Sequence, residues 1–180
     1  MWWWAVLPLC SLWAASSVIG IIHLKRWPRP PDVTIGDPTD PYLRRWWVIP
    51  RNPVFNIYLH QFLKSDTDEA LHDHPWWNIS FLLKGEYLEV VPRFTIHPYR
   101  ASNALKAILR RPGNPVFRRA TAAHRVLLLG EPKPCPVWSL FVTGPVVREW
   151  GFHCPQGWRH WKQFTVRDEQ GNYVDGKGCD

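Results

Sequence analysis

Short apolar runs separated by turn-forming residues constrain the fold of this chain more than any other feature. Eight such runs, rich in Val, Ile, Leu, Phe and Trp, follow one another, with Gly, Pro, Asn or Asp in most of the gaps. Regularly spaced short strands with turn signals are typical of a β-sandwich or a β-barrel. The predicted strands are 44–50, 54–63, 76–84, 87–92, 115–120, 124–129, 136–144 and 161–166.

The length of 180 residues suits one domain with its own hydrophobic core. The 13 Trp and 18 Pro are interleaved with the apolar runs, which favours strands and loops over a helix bundle. One segment, 102–111, has helical spacing and predicts a single helix. The polar tail, 167–180, predicts irregular structure.

The first 24 residues contain no Lys, Arg, Asp or Glu and are followed by Lys25 and Arg26. Their length permits a membrane span, and the basic flank would keep the remaining chain in the cytoplasm. The alternatives are a hydrophobic leader that packs on the domain and an extension from a misplaced start codon. Residues 25–41 are Pro-rich and predict a linker or arm, which leaves 42–166 as the β-domain.

Four cysteines are present, Cys10, Cys135, Cys154 and Cys179. The chain is too long, and its cysteine content too low, for a disulfide scaffold to be the default. We therefore predict reduced thiols in a reducing compartment.

His72 and His74 lie one residue apart, just before an apolar run. Residues two apart share one face of a strand, roughly 6–7 Å from each other, so two imidazoles can converge on one metal ion. Asn78 keeps the same parity, and His124 opens another predicted strand that would supply a third ligand if the two strands are neighbours. The alternative is a pair of exposed histidines near a turn, held by Asp73.

The stretch from His72 through Asn78 to Gly85 resembles the first motif of the cupin superfamily. That motif reads H-x-H, three or four residues, Glu, six residues and Gly, and here Asn78 stands at the Glu position. His124 matches the place of the single His in the second cupin motif, although Arg119, Thr121 and Leu128 replace the Pro, Gly and Asn of that motif. The segments FLKSDTDEALHDHPWW and REWGFHCPQGW are also similar to small cupin-like proteins of bacteria and their phages.

This resemblance implies an all-β, double-stranded β-helix or jelly-roll barrel, with a divalent metal held by His72, His74 and His124. A site of three neutral ligands suits Fe(II) first, with Zn, Ni, Cu or Mn as alternatives, and it favours a small anionic substrate. Asn78 is expected to face the pocket as a catalytic candidate without completing the ligand set. Oxygenase-like activity is the leading hypothesis. The alternatives are a metal-assisted isomerase or hydrolase, and a non-catalytic ligand-binding, structural or phage-associated protein, and a homodimer is also expected.

A second cluster of His, Arg and Trp, residues 146–164, contains Gly and Pro and predicts a shaped loop over the barrel mouth. His153 is its candidate metal ligand or proton shuttle. Trp150, and Trp76 beside the H-x-H, are candidate walls of a substrate pocket. The alternative is an aromatic mini-core, because Trp mostly packs.

Residues 90–130 carry eight Lys or Arg and no Asp or Glu, within a chain of net charge +7. No nucleic-acid-binding module accompanies them, so an anionic small molecule is the simpler partner. Arg118 shares the parity of His124 and is the candidate substrate-binding arginine. Glu86 and Glu89 are interpreted as solvated surface charges.

Overall fold

The three-dimensional structure is a computed structural model of the full chain. It describes the residues 29–66, 69–93, 105–130, 133–167, 173–175 and 178–180.

Within these residues about half of the chain is strand, and the regular structure is almost entirely β. In chain order the elements are β1 (Val33–Asp37), β2 (Asp40–Trp47), β3 (Asn56–Phe62), β4 (Leu71–His72), β5 (Asn78–Lys84), β6 (Tyr87–Pro92), β7 (Leu105–Arg110), β8 (Val116–Arg118), β9 (Arg125–Leu128), β10 (Val137–Thr143), β11 (Gly151–Cys154), β12 (Gly157–His160), α1 (Trp161–Phe164), β13 (Thr165–Arg167) and β14 (Tyr173–Asp175).

The strands pair antiparallel in four sheets. A six-stranded sheet has the order β1-β2-β3-β10-β5-β8, and a three-stranded sheet has the order β7-β6-β9. A second three-stranded sheet, β12-β11-β4, and the two-stranded pair β13-β14 complete the described structure. Sheets of this kind bury one face and alternate inward and outward side chains along each strand.

The main core lies between the six-stranded sheet and the sheet β7-β6-β9. Leu82 and Val137 come from the first sheet, and Tyr87, Val126 and Leu128 come from the second; all five are buried. Removing these apolar side chains from water is the main force that joins the two layers. The fold is therefore all-β, with the two facing antiparallel sheets of a double-stranded β-helix, as the sequence predicts.

The predicted helix at 102–111 is wrong for the described part of that segment, where Leu105–Arg110 form β7. This strand pairs with β6 along its whole length, from Leu105 opposite Pro92 to Arg110 opposite Tyr87. Ala, Leu, Lys and Arg are good helix formers, but propensity is a weak preference that a complete ladder of sheet hydrogen bonds overrides.

Three segments predicted as irregular contain regular structure. Val33–Asp37, within the predicted linker 25–41, is β1 and pairs with β2. The predicted loop 146–164 contains the hairpin β11-β12, and the polar tail contributes β14, which pairs with β13. Conversely, the predicted strand 161–166 begins as the helical turn Trp161–Phe164 and becomes a strand only at Thr165.

The prediction of reduced thiols is wrong for two of the four cysteines, because Cys154 and Cys179 form a disulfide. The hairpin places Cys154 in a buried cluster with Phe152 and Phe164, and Cys179 packs against the same cluster. Cys135 is a free, exposed thiol.

No helix in the described ranges is long and apolar enough to span a bilayer. The predicted hydrophobic leader or anchor, 1–24, lies outside the described residues.

Candidate metal centre

The backbone brings the two histidine-bearing segments together directly. The N–H of His72 donates to the carbonyl of His124 and the N–H of His124 donates to the carbonyl of His72, both at 2.9 Å. This isolated antiparallel bridge sets the two residues opposite each other, so their side chains leave the sheet on the same face. The two segments are therefore neighbours, which was the condition for His124 to supply a third ligand.

The three imidazoles converge. The Nε2 atoms of His74 and His124 lie 2.9 Å apart, and the ligand atoms of all three histidines lie within 4.8 Å of one another. The ring centroids are 4.9 Å apart for His72 and His124 and 5.2 Å apart for the other two pairs. His72, His74 and His124 thus form a group that could hold a metal ion.

The spacing of this group fits a divalent transition metal. Zinc binds imidazole nitrogen at about 2.0–2.1 Å, so neighbouring ligand atoms around one ion are about 2.9–3.4 Å apart. The pair of Nε2 atoms on His74 and His124 already lies at that distance. This three-histidine group therefore fits a divalent metal ion.

Burial favours the neutral form of two of these imidazoles, His74 and His124. It is the main cause that lowers the pKa of His74 well below its ordinary value of 6.5, with further lowering by His124 and His72. Burial also lowers the pKa of His124 to about 4, although its contact with Glu89 opposes the shift. Neutral imidazole is the form that binds a metal, so the centre is suited to metal at neutral pH without having to release protons.

Glu89 lies directly behind His124. It is 1% exposed, and its Oε1 is 2.9 Å from the Nδ1 of His124. The separation is that of a hydrogen bond, but the geometry leaves Nδ1 of His124 without a hydrogen-bond partner. We regard the contact as chiefly electrostatic; it favours a proton on Nδ1 and leaves Nε2 free for a metal.

The interpretation of Glu89 as a solvated surface charge is therefore wrong. Its carboxylate accepts from Arg118 Nε at 2.5 Å and from Arg110 Nε at 2.6 Å. Burial raises its pKa, but His124 and Arg118 outweigh that effect and hold the pKa well below the usual range. Glu86, by contrast, is exposed and pairs with Arg111, as expected.

Arg118 and Asn78 belong to the same buried network. Arg118 is 5% exposed, and its guanidinium donates to Glu89, to the Tyr87 hydroxyl and to the Asn78 carbonyl oxygen. Asn78 is fully buried on the inner face of β5, opposite Arg118 of β8. The charge of Arg118 is thus balanced by Glu89 within the protein, which argues against its predicted role as the substrate-binding arginine.

Asp73 secures the H-x-H segment from the opposite face. It is 1% exposed and accepts from the backbone N–H of Gly151 at 2.9 Å and from the Trp158 indole at 3.0 Å. Its other contacts are to Arg148 Nη1 at 2.7 Å and His153 Nε2 at 3.2 Å. The face of the segment opposite the two imidazoles is thus occupied by the buried carboxylate of Asp73 and not by solvent.

His153 points away from the three-histidine group. In the pairing of β11 with β4, Phe152 lies opposite His72 and His153 lies opposite Leu71. Because residues opposite each other share a face, His153 shares the Leu71 and Asp73 side. The structure does not bring it to the metal centre, which is contrary to its candidacy as a ligand or proton shuttle there.

The two candidate tryptophans have different positions. Trp76 lies beside the centre, with its ring stacked 6.5 Å from that of His74. Trp150 stacks on Trp161 at 5.7 Å and packs on the cluster around Phe152. Trp150 therefore belongs to the aromatic mini-core that was the alternative interpretation, and its predicted role in substrate binding is not supported.

The sequence did not identify Glu89 or Asp73 as functional residues. A weak signal existed for Glu89, because it shares the parity of Tyr87 in an otherwise apolar strand. Asp73 carried no signal beyond its position between two histidines.

Replacing Asp73 with alanine should lower the free energy of unfolding by about 3–5 kcal/mol, because Arg148 and three further groups lose a buried anionic partner. The matched control is Asp40→Ala, which removes an exposed carboxylate paired with Lys64 and should cost less than about 1 kcal/mol. Urea unfolding of the three proteins checks the difference. Equal costs for the two variants would contradict the anchoring role of Asp73.

The stability of the metal-free protein should fall as the pH drops below about 6.5. Burial lowers the folded-state pKa of His60, His74 and His124 below the 6.5 expected in the unfolded chain. The unfolded state therefore takes up protons first, and the stability contributed by these neutral rings is lost as the pH falls toward the folded pKa. Urea midpoints in the presence of a chelator, measured from about pH 8 to pH 4, check this. The prediction fails if the midpoint is constant until carboxylates titrate below about pH 4.5.

The sequence matches no protein-family profile and no curated protein. Among solved structures, it is similar to the Fe(II) form of HppE, with 15% identity and a TM-score of 0.46 over 62% of this chain and 54% of that chain. The chain thus spans about half of the length of HppE.

Two further structures are similar at lower identity. One is a cupin superfamily protein from Desulfitobacterium hafniense, with 11% identity and a TM-score of 0.41 over 57% of this chain and 77% of that chain. The other is an RmlC-like cupin family protein with a double-stranded β-helix fold from Methanocaldococcus jannaschii, with 9% identity and a TM-score of 0.42 over 64% of this chain and 91% of that chain. Both of these proteins are cupins, and the motif around His72 and His74 resembles the first cupin motif.

Proposed function

We propose that the protein is a mononuclear metal protein of the cupin type, with oxygenase-like activity on a small anionic substrate. The observation that carries the proposal is the convergence of His72, His74 and His124, whose ligand atoms lie within 4.8 Å of one another. Fold alone cannot assign an activity, so the proposal depends on the site.

The ligand set supports a transition metal with open positions. Three imidazoles suit Fe(II), which we favour, and also Zn, Ni, Cu or Mn, and among the described residues no carboxylate joins the group. When bound, such an ion supplies Lewis acidity and open coordination positions. Because all three ligands are neutral, its charge is not balanced by the ligands, and an anionic substrate would balance it.

The residues around the histidines support chemistry in a confined site. Glu89 orients His124, and Asp73 holds the backbone between His72 and His74. The ring centroid of Phe141 lies 6.2 Å from that of His74, and the ring centroid of Phe152 lies 6.1 Å from that of His72. These two apolar rings limit the access of water to the centre.

The test is metal analysis and oxygen consumption. Full-length protein, purified and loaded with Fe(II) without oxygen, should hold one equivalent of metal per chain and should consume oxygen when it meets a small organic acid that it accepts. Loading with Zn(II) is the control, since this ion fits the ligands but is redox-inactive. Failure to retain any divalent metal would overturn the proposal, and one equivalent of metal without oxygen consumption across a panel of such acids would reduce it to a metal-binding protein.

A further inference from the structure

A second polar group lies on the inner face of the six-stranded sheet. Arg45 of β2, His60 of β3 and Ser139 of β10 stand abreast, with Arg45 opposite His60 and His60 opposite Ser139. Directly paired residues share a face, so the three side chains leave the sheet on the side that faces the barrel interior. His60 is 3% exposed and Ser139 is 1% exposed.

Arg45 is a half-buried cation without a carboxylate. Its Nε donates to His60 Nε2 at 2.9 Å, and its Cζ lies 5.0 Å from the centre of the Tyr58 ring. Across the described ranges, its two terminal amino groups have no acceptor and no Asp or Glu lies within salt-bridge distance. A cation partly removed from water in this way is destabilising unless an anion compensates it.

The neighbours of Arg45 add further hydrogen-bond donors. Because His60 Nε2 accepts from Arg45, the proton of this neutral ring sits on Nδ1, and that Nδ1–H is buried without a partner. The hydroxyl of Ser139 is also buried without a partner. Unsatisfied buried polar groups are rare in proteins, and each needs an explanation.

The group lies next to the metal centre. The ring of Phe141 stacks on His60 at 5.0 Å and also approaches His74 at 6.2 Å. One phenyl ring therefore contacts both the second polar group and a histidine of the metal centre.

We propose that Arg45, His60 and Ser139 form an oxyanion subsite that binds the carboxylate or phosphate group of the substrate of the three-histidine centre. This inference rests on the proposed function and deepens it, because it gives the anionic group a specific site. All three residues offer donors, and the planar guanidinium suits the paired oxygens of a carboxylate or a phosphate. Because Glu89 already balances the charge of Arg118, Arg45 is the better candidate to bind the anion.

The test is calorimetric titration of the full-length chain with inorganic phosphate, acetate and neutral acetamide at constant ionic strength, in both the zinc-loaded and metal-free forms. At least one anion should bind to the wild type, and acetamide should not. Arg45→Gln should weaken anion binding about tenfold or more, equivalent to about 1.4 kcal/mol. Arg44→Gln is the matched control, because Arg44 is on the same strand but on the other face, and it should bind like the wild type.

Two further variants keep the test decisive if Arg45→Gln does not fold. Ser139→Ala removes one donor with little change in volume and should also weaken binding about tenfold, whereas Arg45→Lys keeps the charge and should bind with intermediate affinity. No anion binding to the wild type, or equal binding by the Arg45 and Arg44 variants, would overturn the inference. If the chain retains no metal after loading but still binds the anion through Arg45, the oxyanion subsite stands and the proposed metal function is rejected.

Discussion

The double variant His72→Ala with His74→Ala should lose all stoichiometric metal while remaining a folded β-protein. Two of the three ligands disappear, and the remaining imidazole, His124, cannot hold a divalent ion against water and buffer. Metal content after loading and desalting, together with the far-ultraviolet circular dichroism spectrum, provides the measurement.

The matched control replaces two histidines that lie outside the centre, His153 and His160, with glutamine. His153 faces Asp73 and His160 contacts Glu149, so neither lies in the three-histidine group. The control should keep one equivalent of metal. Stoichiometric metal in the His72 and His74 variant would place the metal site elsewhere.

The variant Glu89→Gln should lower the free energy of unfolding by about 3–5 kcal/mol, because it leaves the guanidinium of Arg118 buried without a counter-charge. The same change removes the anion behind His124, so metal affinity should fall by about 10–100-fold. Urea unfolding of the metal-free protein and competitive zinc titration measure the two effects separately.

Glu86→Gln is the control for this variant, since Glu86 lies three residues away, has a side chain that is 43% exposed and pairs with the exposed Arg111. Its cost should stay below about 1 kcal/mol, with no change in metal affinity. A further variant, Glu89→Gln combined with Arg118→Met, removes the orphaned charge and should recover part of the lost stability. If Glu89→Gln is as stable as Glu86→Gln, the buried network is not important for the fold.

Local sequence patterns were sufficient for the histidines and for most strands. His72 and His74 share a face by simple alternation, and strand β6 has the predicted bounds of 87–92. His124 was found because it opens a strand and matches a motif position. Such features depend on residues close together in the chain, where periodicity is informative.

The rest depends on contacts that are distant in sequence. Glu89 pairs with Arg118, 29 residues away, and Asp73 accepts from Gly151, 78 residues away, so neither partner can be chosen from a local pattern. The face of His153 depends on the register of β11 against a strand of only two residues. For Leu105–Arg110, pairing with β6 outweighed helical propensity.

The segment His72-Asp73-His74 carries its imidazoles on one face and, on the other, the carboxylate of Asp73 that binds the β11-β12 hairpin. The two faces are therefore thermodynamically linked. An ion that favours the ordered segment raises the free energy of opening the hairpin, and an intact hairpin tightens the hold on the ion by the same amount. Cys154 links that hairpin to Cys179 through a disulfide. Reduction of this disulfide would therefore lower the affinity of the three histidines for a metal ion.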